Sequence, residues 1–321
     1  MRLTTDDGRR TTGASWTIDL ALNWGRAQLA GTDEIELAAK TLLAHVRECT
    51  LSELFAYPGR ELTAAQSAAY RALVERRARH EPLAYLVGHH GFLELDLRVD
   101  RRALIPRPET ELLVERALAW ARTWHAAHGR APQIADVGTG SGAIAIGLAA
   151  ALPQARILGL DRSPDALELA RQNALRCGVA GQITFLQGDL LAPLRGPVDL
   201  IVANLPYVSE DEYAALPPGI RAYEPRGALV AGPDGLDAIR RLLQTARPHL
   251  APDAARPAAR AAILLEIGAS QGDAVSALAA RAFPEARVEV IADYGGRDRI
   301  VKIELERQCP SNSSSATWTE P

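Results

Sequence analysis

Five short apolar runs, Gln133–Val137, Arg156–Leu160, Ile183–Gln187, Asp199–Ala203 and Ala261–Ile267, are separated by segments of helical periodicity. They read as buried strands, and buried strands alternating with helices predict a doubly wound parallel sheet. Such a sheet gathers its ligands at the carboxyl ends of its strands. The alternation stops near the end of the chain. Ala286–Ile291 and Arg299–Leu305 flank a turn-rich Tyr294-Gly-Gly-Arg-Asp298, which predicts an antiparallel strand pair appended to the sheet.

The first 90 residues have a different pattern. Asp33 and Glu36 suggest a capped helix start ahead of Ile35, Ala38, Leu42, Leu43 and Val46 on one face. Thr63 and Gln66 repeat that arrangement before Ala65, Ala69 and Leu73, and Leu20, Ala21, Trp24 and Ala27 fit a shorter helix. Residues 1–90 therefore read as a small all-helical domain, serving either packing or substrate recognition. Glu94–Asp100 alternates like a strand, and the two prolines of Leu104-Ile-Pro-Arg-Pro108 exclude a helix there. Residues 91–110 thus form a hairpin and linker, 111–308 the sheet domain, and the Ser- and Pro-rich 309–321 a disordered tail.

Bulk properties remove several function classes. A length of 321 residues allows two domains, and 47% hydrophobic with 23% charged residues is ordinary for a globular protein. A net charge of −3 gives no bulk signature of a nucleic-acid or membrane partner. Cys49, Cys177 and Cys309 show neither metal-ligand spacing nor a disulfide framework. Met1–Arg10 is polar, without the apolar core of a signal peptide, and the apolar runs are too short to span a bilayer. A cytoplasmic protein without a metal site is expected.

Asp136-Val-Gly-Thr-Gly-Ser-Gly142 lies where the first strand meets a helix beginning near Ala143. Gly138, Gly140 and Gly142 let the chain turn tightly and approach a ligand, with Thr139 and Ser141 between them. The spacing is G-x-G-x-G rather than the G-x-G-x-x-G of nicotinamide enzymes, which weakens a dehydrogenase reading without excluding it. Asp161 ends the next strand, where a carboxylate can accept from both hydroxyls of a ribose. Ser163 and Pro164 then suit N-cap and first helical position. Asp189, after the third strand, is placed beside the adenine, and Leu190 covers a ring face.

Asn204-Leu-Pro-Tyr207 follows the fourth strand at its carboxyl end. An amide nitrogen is a poor nucleophile because its lone pair is delocalised into the carbonyl. Two acceptors binding its N–H groups, here the Asn204 side-chain oxygen and the Leu205 carbonyl, would direct the lone pair and favour the developing cation. Tyr207 would stack on the planar group, and Pro206 holds Leu205 extended. A plain strand-ending turn is the alternative for such a segment taken alone.

These motifs resemble those of the HemK family of protein-(glutamine) methyltransferases, which modify release factors. The resemblance runs nearly to residue 305. It is carried by Glu81-Pro-Leu-Ala-Tyr-Leu-Val-Gly88, Ile105-Pro-Arg-Pro-Glu-Thr-Glu111, the glycine loop, the Asn204 segment, Glu224-Pro-Arg-Gly-Ala-Leu-Val230, Leu265-Glu-Ile-Gly268 and Gly296-Arg-Asp-Arg299. Arg107–Glu111 is the most family-specific of these. The resemblance implies a class I, Rossmann-like methyltransferase sheet and a helical N-terminal domain that helps grip the release factor. It implies S-adenosylmethionine as cofactor, bound at Gly138 to Gly142, Asp161, Leu190 and Asn204. It places the substrate glutamine, that of the Gly-Gly-Gln loop of peptide chain release factors, at Asn204 to Tyr207. Leu205 departs from the family, which usually has proline there, and Leu190 stands where some relatives carry an aromatic.

Four other readings are weighed. A related enzyme methylates a glutamine of a ribosomal protein, against which Arg107–Glu111 argues. A nucleic-acid amino-methyltransferase would share the acceptor geometry, but it would be expected to show a basic surface. In a nicotinamide-dependent oxidoreductase the Asn204 segment has no evident role. A non-catalytic cofactor-binding regulator would bind without turnover.

Overall fold

The computed structural model describes residues 16–250 and 260–305. The expected tail 309–321, Cys309 and the polar Met1–Arg10 lie outside these residues. The chain groups into two units. Among the described residues, one comprises 16–88 with 218–223, and the other 89–217, 224–250 and 260–305.

The first unit is helical: α1 (Ile18–Gln28), α2 (Ile35–Arg47), α3 (Leu51–Ala56), α4 (Ala64–Ala78) and α5 (Leu83–Val87). Its core joins Ile18, Leu22, Leu42, Leu43, Leu54, Tyr70 and Val74. The Tyr70 hydroxyl donates to the carbonyl of Ala39 at 3.2 Å. Gly25 makes room for that ring, because a Cβ there would stand 2.1 Å from the hydroxyl.

The expected capping box opens α4, with Gln66 N–H donating to Thr63 Oγ1 at 3.1 Å and Thr63 N–H to Gln66 Oε1 at 3.0 Å. The buried face of α4 is Tyr70, Val74 and Arg77, not the expected Ala65 and Ala69, which are exposed. In α1 the buried stripe is Ile18, Ala21, Leu22 and Gly25, while Leu20 and Ala27 face solvent. The expected cap of α2 is absent. Its N-cap is Glu34 in the left-handed region, because the Asp33 carboxylate pairs with Arg77 and that of Glu36 with Arg26 and Lys40.

The second unit opens with the hairpin β1 (His89–Phe92) and β2 (Leu95–Arg98), followed by α6 (Pro108–His128). Pro108 is the first residue of that helix, which corrects the expectation that it lay in an extended run. A proline fits there because the first helical N–H has no intrahelical partner to lose. Then follow β3 (Gln133–Val137), α7 (Ala143–Ala151), β4 (Arg156–Asp161), α8 (Pro164–Arg176), β5 (Ile183–Gln187) and β6 (Leu200–Ala203). The short helices α9 (Glu210–Ala215) and α10 (Pro218–Tyr223) precede α11 (Asp237–Leu250), β7 (Ala261–Glu266), α12 (Gly272–Ala282), β8 (Arg287–Ala292) and β9 (Asp298–Leu305). Although α10 falls within the sequence range expected for the sheet domain, it groups with the helical unit. There the Tyr223 hydroxyl donates to the carbonyl of Arg79 at 3.2 Å.

Strand order is β5-β4-β3-β6-β7-β9-β8, parallel as far as β7, with β9 and β8 antiparallel. The appended pair is therefore present, and the fold is the expected α/β sheet. Side chains alternate between two apolar layers: Leu200 and Val202 enter the layer holding α6 and α7, Ile201 and Ala203 the layer holding α11 and α12. Both faces are covered, which explains why the central strands read as unbroken apolar runs. Among the described residues no helix is long and apolar enough to cross a membrane.

Chain order reverses direction across the sheet between β3 and β6. Val137 pairs with Ala203, and Ala203 with Leu265. The next residue on each strand is Gly138, Asn204 and Glu266, so register alone brings these three to adjacent strand ends at the switch point where such sheets bind ligands.

Candidate active site

After β3 the chain turns through Gly138, Gly140 and Gly142, with φ of +77°, +55° and +85°. A Cβ on Gly138 would lie 3.1 Å from Leu205 Cδ2 and 3.6 Å from the Asn204 carbonyl oxygen. Glycine there allows both the left-handed turn and the contact between the two loops. Gly142 serves a different end. It is the N-cap of α7, and a Cβ would meet Ile146 and Ala170 at 3.0 and 3.1 Å, so its smallness lets α7 pack on α8.

Asp136 anchors the loop from beneath. Its Oδ2 accepts from Thr139 Oγ1 at 2.6 Å and from the Ala145 N–H at 3.1 Å. Complete burial pushes its carboxyl up to about 7 in spite of these bonds, and the Asp161 charge adds to the rise. Asp161 is held by backbone donors: Gly140 N–H to Oδ2 and Ser163 N–H to Oδ1, each at 2.9 Å. A carboxylate offers roughly four lone-pair sites, so acceptor capacity remains for a ligand. Ser163 caps α8 as expected, accepting from the Ala166 N–H at 3.2 Å.

A cavity of about 260 Å³ opens over these strand ends, near the lower bound for small-molecule sites. Every expected site position lines it except Gly142 and Tyr207. Leu190 reaches the wall from the left-handed region, at φ +48°, a conformation that leucine adopts only when its surroundings enforce it. Asp189 also reaches the wall, with its carboxylate ion-paired to Arg241. Leu104 to Arg107 and Thr110 complete the side beside Asn204.

On that side a chain of hydrogen bonds links residues far apart in sequence. Asn204 Nδ2 donates to Thr110 Oγ1 at 3.0 Å, and Thr110 Oγ1 donates to Glu266 Oε2 at 2.7 Å. The Tyr207 hydroxyl donates to Glu266 Oε1 at 3.4 Å, which turns it away from the cavity wall. The Tyr207 carbonyl accepts from Gln271 Nε2 at 2.9 Å. Burial pushes the Glu266 carboxyl up to about 7, opposed by the Thr110 hydrogen bond and the Arg299 charge. Burial and then the Glu266 charge push the Tyr207 hydroxyl up to about 12.

Arg107 and Glu111 of the same motif are also occupied. Arg107 donates to Glu224 Oε1 at 2.6 Å, and the Ile105 N–H to Glu224 Oε2 at 3.3 Å. Glu111 Oε1 accepts from the Leu93 N–H at 2.7 Å. Thr110, Glu224 and Glu266 lie inside the family motifs of the sequence, which assigns none of them a role. The available signal was an acid in each of two otherwise apolar or proline-bound runs.

A family model described as the PrmC N-terminal domain matches residues 21–88, and one described as a methyltransferase domain matches residues 134–227. A release factor glutamine methyltransferase of Moorella thermoacetica is 42% identical over 275 residues, covering 85% of this chain and 93% of that protein. One of Cereibacter sphaeroides is 40% identical over 280 residues, covering 87% and 95%. The chain belongs to the release factor glutamine methyltransferase family. A solved release factor-specific protein-(glutamine-N5) methyltransferase from Alicyclobacillus acidocaldarius is 28% identical, with a TM-score of 0.38, covering 66% of this chain and 100% of that one.

Membership of this methyltransferase family implies S-adenosylmethionine, and the residues present fit its adenosine half. Asp161 keeps free acceptor capacity at the cavity wall for paired hydroxyls, and the glycine loop presents backbone without side chains. The apolar Leu190 and Leu205 are available to flank flat or apolar groups.

Proposed function

We propose that the chain transfers a methyl group from S-adenosylmethionine to the side-chain amide nitrogen of the glutamine in the Gly-Gly-Gln loop of peptide chain release factors. The observation that carries this reading is the Asn204 side chain, whose Nδ2 is committed to Thr110 while its Oδ1 is left as an acceptor on a wall of the cavity.

When bound, S-adenosylmethionine supplies a methyl group made electrophilic by the attached sulfonium. The chain's own residues do the rest. Gly138, Thr139, Gly140, Ser141 and Gly142 form the loop that cradles the cofactor. Asp161 accepts from ribose hydroxyls, and Asp189 and Leu190 border the adenine. Asn204 Oδ1 and the Leu205 carbonyl accept the two N–H groups of the substrate amide, so its lone pair faces the methyl group. The same two acceptors favour the positive charge that develops on nitrogen, an interaction stronger in the transition state than in the ground state.

Pro206 borders the glutamine, while Tyr207 is held off the cavity wall through its hydroxyl at Glu266. Leu205 in place of the family's usual proline keeps the carbonyl, and its buried side chain packs over Gly138. The helical unit, residues up to about 90, recognises the release factor. A cytoplasmic location follows from a substrate of translation. No direct nucleic-acid contact is required.

Incubating the protein and labelled S-adenosylmethionine with a release factor, a ribosomal protein or RNA tests the assignment. Label on the release factor is expected. Label on RNA or on the ribosomal protein, with none on the release factor, would remove it.

A further inference from the structure

We infer that Glu266 and Thr110 are positioning residues that decide which end of the Asn204 side-chain amide faces the reacting nitrogen. The inference rests on the acceptor role proposed for Asn204. An asparagine amide fits its site in two nearly isosteric orientations, one presenting oxygen and the other NH₂. Only the first accepts a substrate N–H. The second would oppose two donors.

The hydrogen-bond chain selects between them. A hydroxyl has a single proton to donate, and that of Thr110 is spent on Glu266 at 2.7 Å. Toward Asn204 the Thr110 oxygen can then only accept, so Nδ2 must face it, at 3.0 Å, and Oδ1 must face away. The direction of the chain is set at its far end, because an ionised carboxylate has acceptors only. The Tyr207 hydroxyl meets the other carboxylate oxygen in the same sense.

A protonated Glu266 would reverse this order. Its O–H could donate to Thr110, the Thr110 proton would be free for Asn204, and the flipped amide would be favoured. The charges around Glu266 are mixed: Arg299 on β9 favours the carboxylate, while Glu109 on α6 opposes it along with burial. The Tyr207 hydroxyl donates to it from the loop after β6. With the carboxyl pushed up to about 7, the reversal falls within an accessible pH range.

The test is the pH dependence of single-turnover methylation of a release factor at saturating S-adenosylmethionine. Cofactor binding to each variant is measured by calorimetry as the check on folding. In the unmodified protein the rate should fall as pH drops through about 7. Glu266→Gln should lose that acid limb. Thr110→Val should lower the rate roughly 10- to 10²-fold at every pH, the scale of a misplaced catalytic group, while binding cofactor normally. Thr110→Ser, which keeps the hydroxyl, should restore most of the rate lost in the valine variant and the acid limb with it.

A valine variant within about twofold of the unmodified rate, or an acid limb unchanged in Glu266→Gln, overturns the inference. Asn204→Ala separates the two levels. If it abolishes turnover while Thr110→Val does not, only the positioning role is lost. If it turns over normally, the acceptor reading fails and the positioning role goes with it.

Discussion

The two halves of the cavity are built by different means. The half under β3 and β4 is made of backbone: three left-handed glycines, and an Asp161 carboxylate held by the N–H groups of Gly140 and Ser163. Its parts lie within about one βαβ unit of each other. The half under β6 and β7 is made of side chains, and its hydrogen bonds join residues separated by 94 and 156 positions. A backbone-built site tolerates exchange of neighbouring side chains but not added bulk at a glycine. The relay has the opposite sensitivity, since each hydroxyl, amide and carboxylate in it has one allowed direction.

The largest effect expected from this contrast is on turnover. Asn204→Ala should lower methylation by about 10²-fold or more, the scale of removing one preorganised polar group, and leave cofactor affinity within a few-fold. Loss of both by equal factors would erase the separation between the halves. Gly138→Ala should do the reverse, weakening cofactor binding by about tenfold, because a Cβ would add a disfavoured positive φ to a 3.1 Å approach to Leu205. Titration calorimetry of the two variants side by side gives the comparison.

Glu224→Gln sharpens the acceptor half. The buried carboxylate serves two donors, Arg107 and the Ile105 N–H, and a single amide oxygen cannot replace both. A loss of about 1–3 kcal/mol in unfolding free energy is expected, with the half-exposed Arg107 finding water. Denaturant melts that superimpose on those of the unmodified protein would count against the strut.

The smallest effect concerns Asp136. Its carboxyl is raised to about 7 in the folded state against an ordinary value of 3.8, so the folded state binds the extra proton between those values. Stability from this group is therefore greatest at the acid end and is lost as pH rises through about 7. Thermal melts of Asp136→Asn should show a shallower decline over that window. A steeper one would mean that the carboxylate is stabilised rather than desolvated.

What the sequence disclosed follows the same division. The five central strands, the appended antiparallel pair, the glycine loop and the Ser163-Pro164 helix start depend on neighbours in the chain, and each appears where expected. The Thr110–Asn204–Glu266 chain depends on strand register and on where α6 begins. No local pattern encodes it, although all three residues sit in motifs that marked the family. In the helical unit, the expected face of α4 runs through Ala65 and Ala69, but the bulky Tyr70 rather than these alanines determines which side is buried. The Asp33 cap failed for a similar reason, since Arg77 captures its carboxylate from far along the chain.

The measurement that bears most directly on the central claim is the location of the added methyl group. A release factor treated with the protein and S-adenosylmethionine is digested, and its peptides are sequenced by fragmentation mass spectrometry. One methyl group on the side chain of the glutamine in the Gly-Gly-Gln loop, absent when Asn204→Ala replaces the unmodified protein, is the predicted result. A methyl group on any other residue, or an unchanged product with Asn204→Ala, would contradict the account.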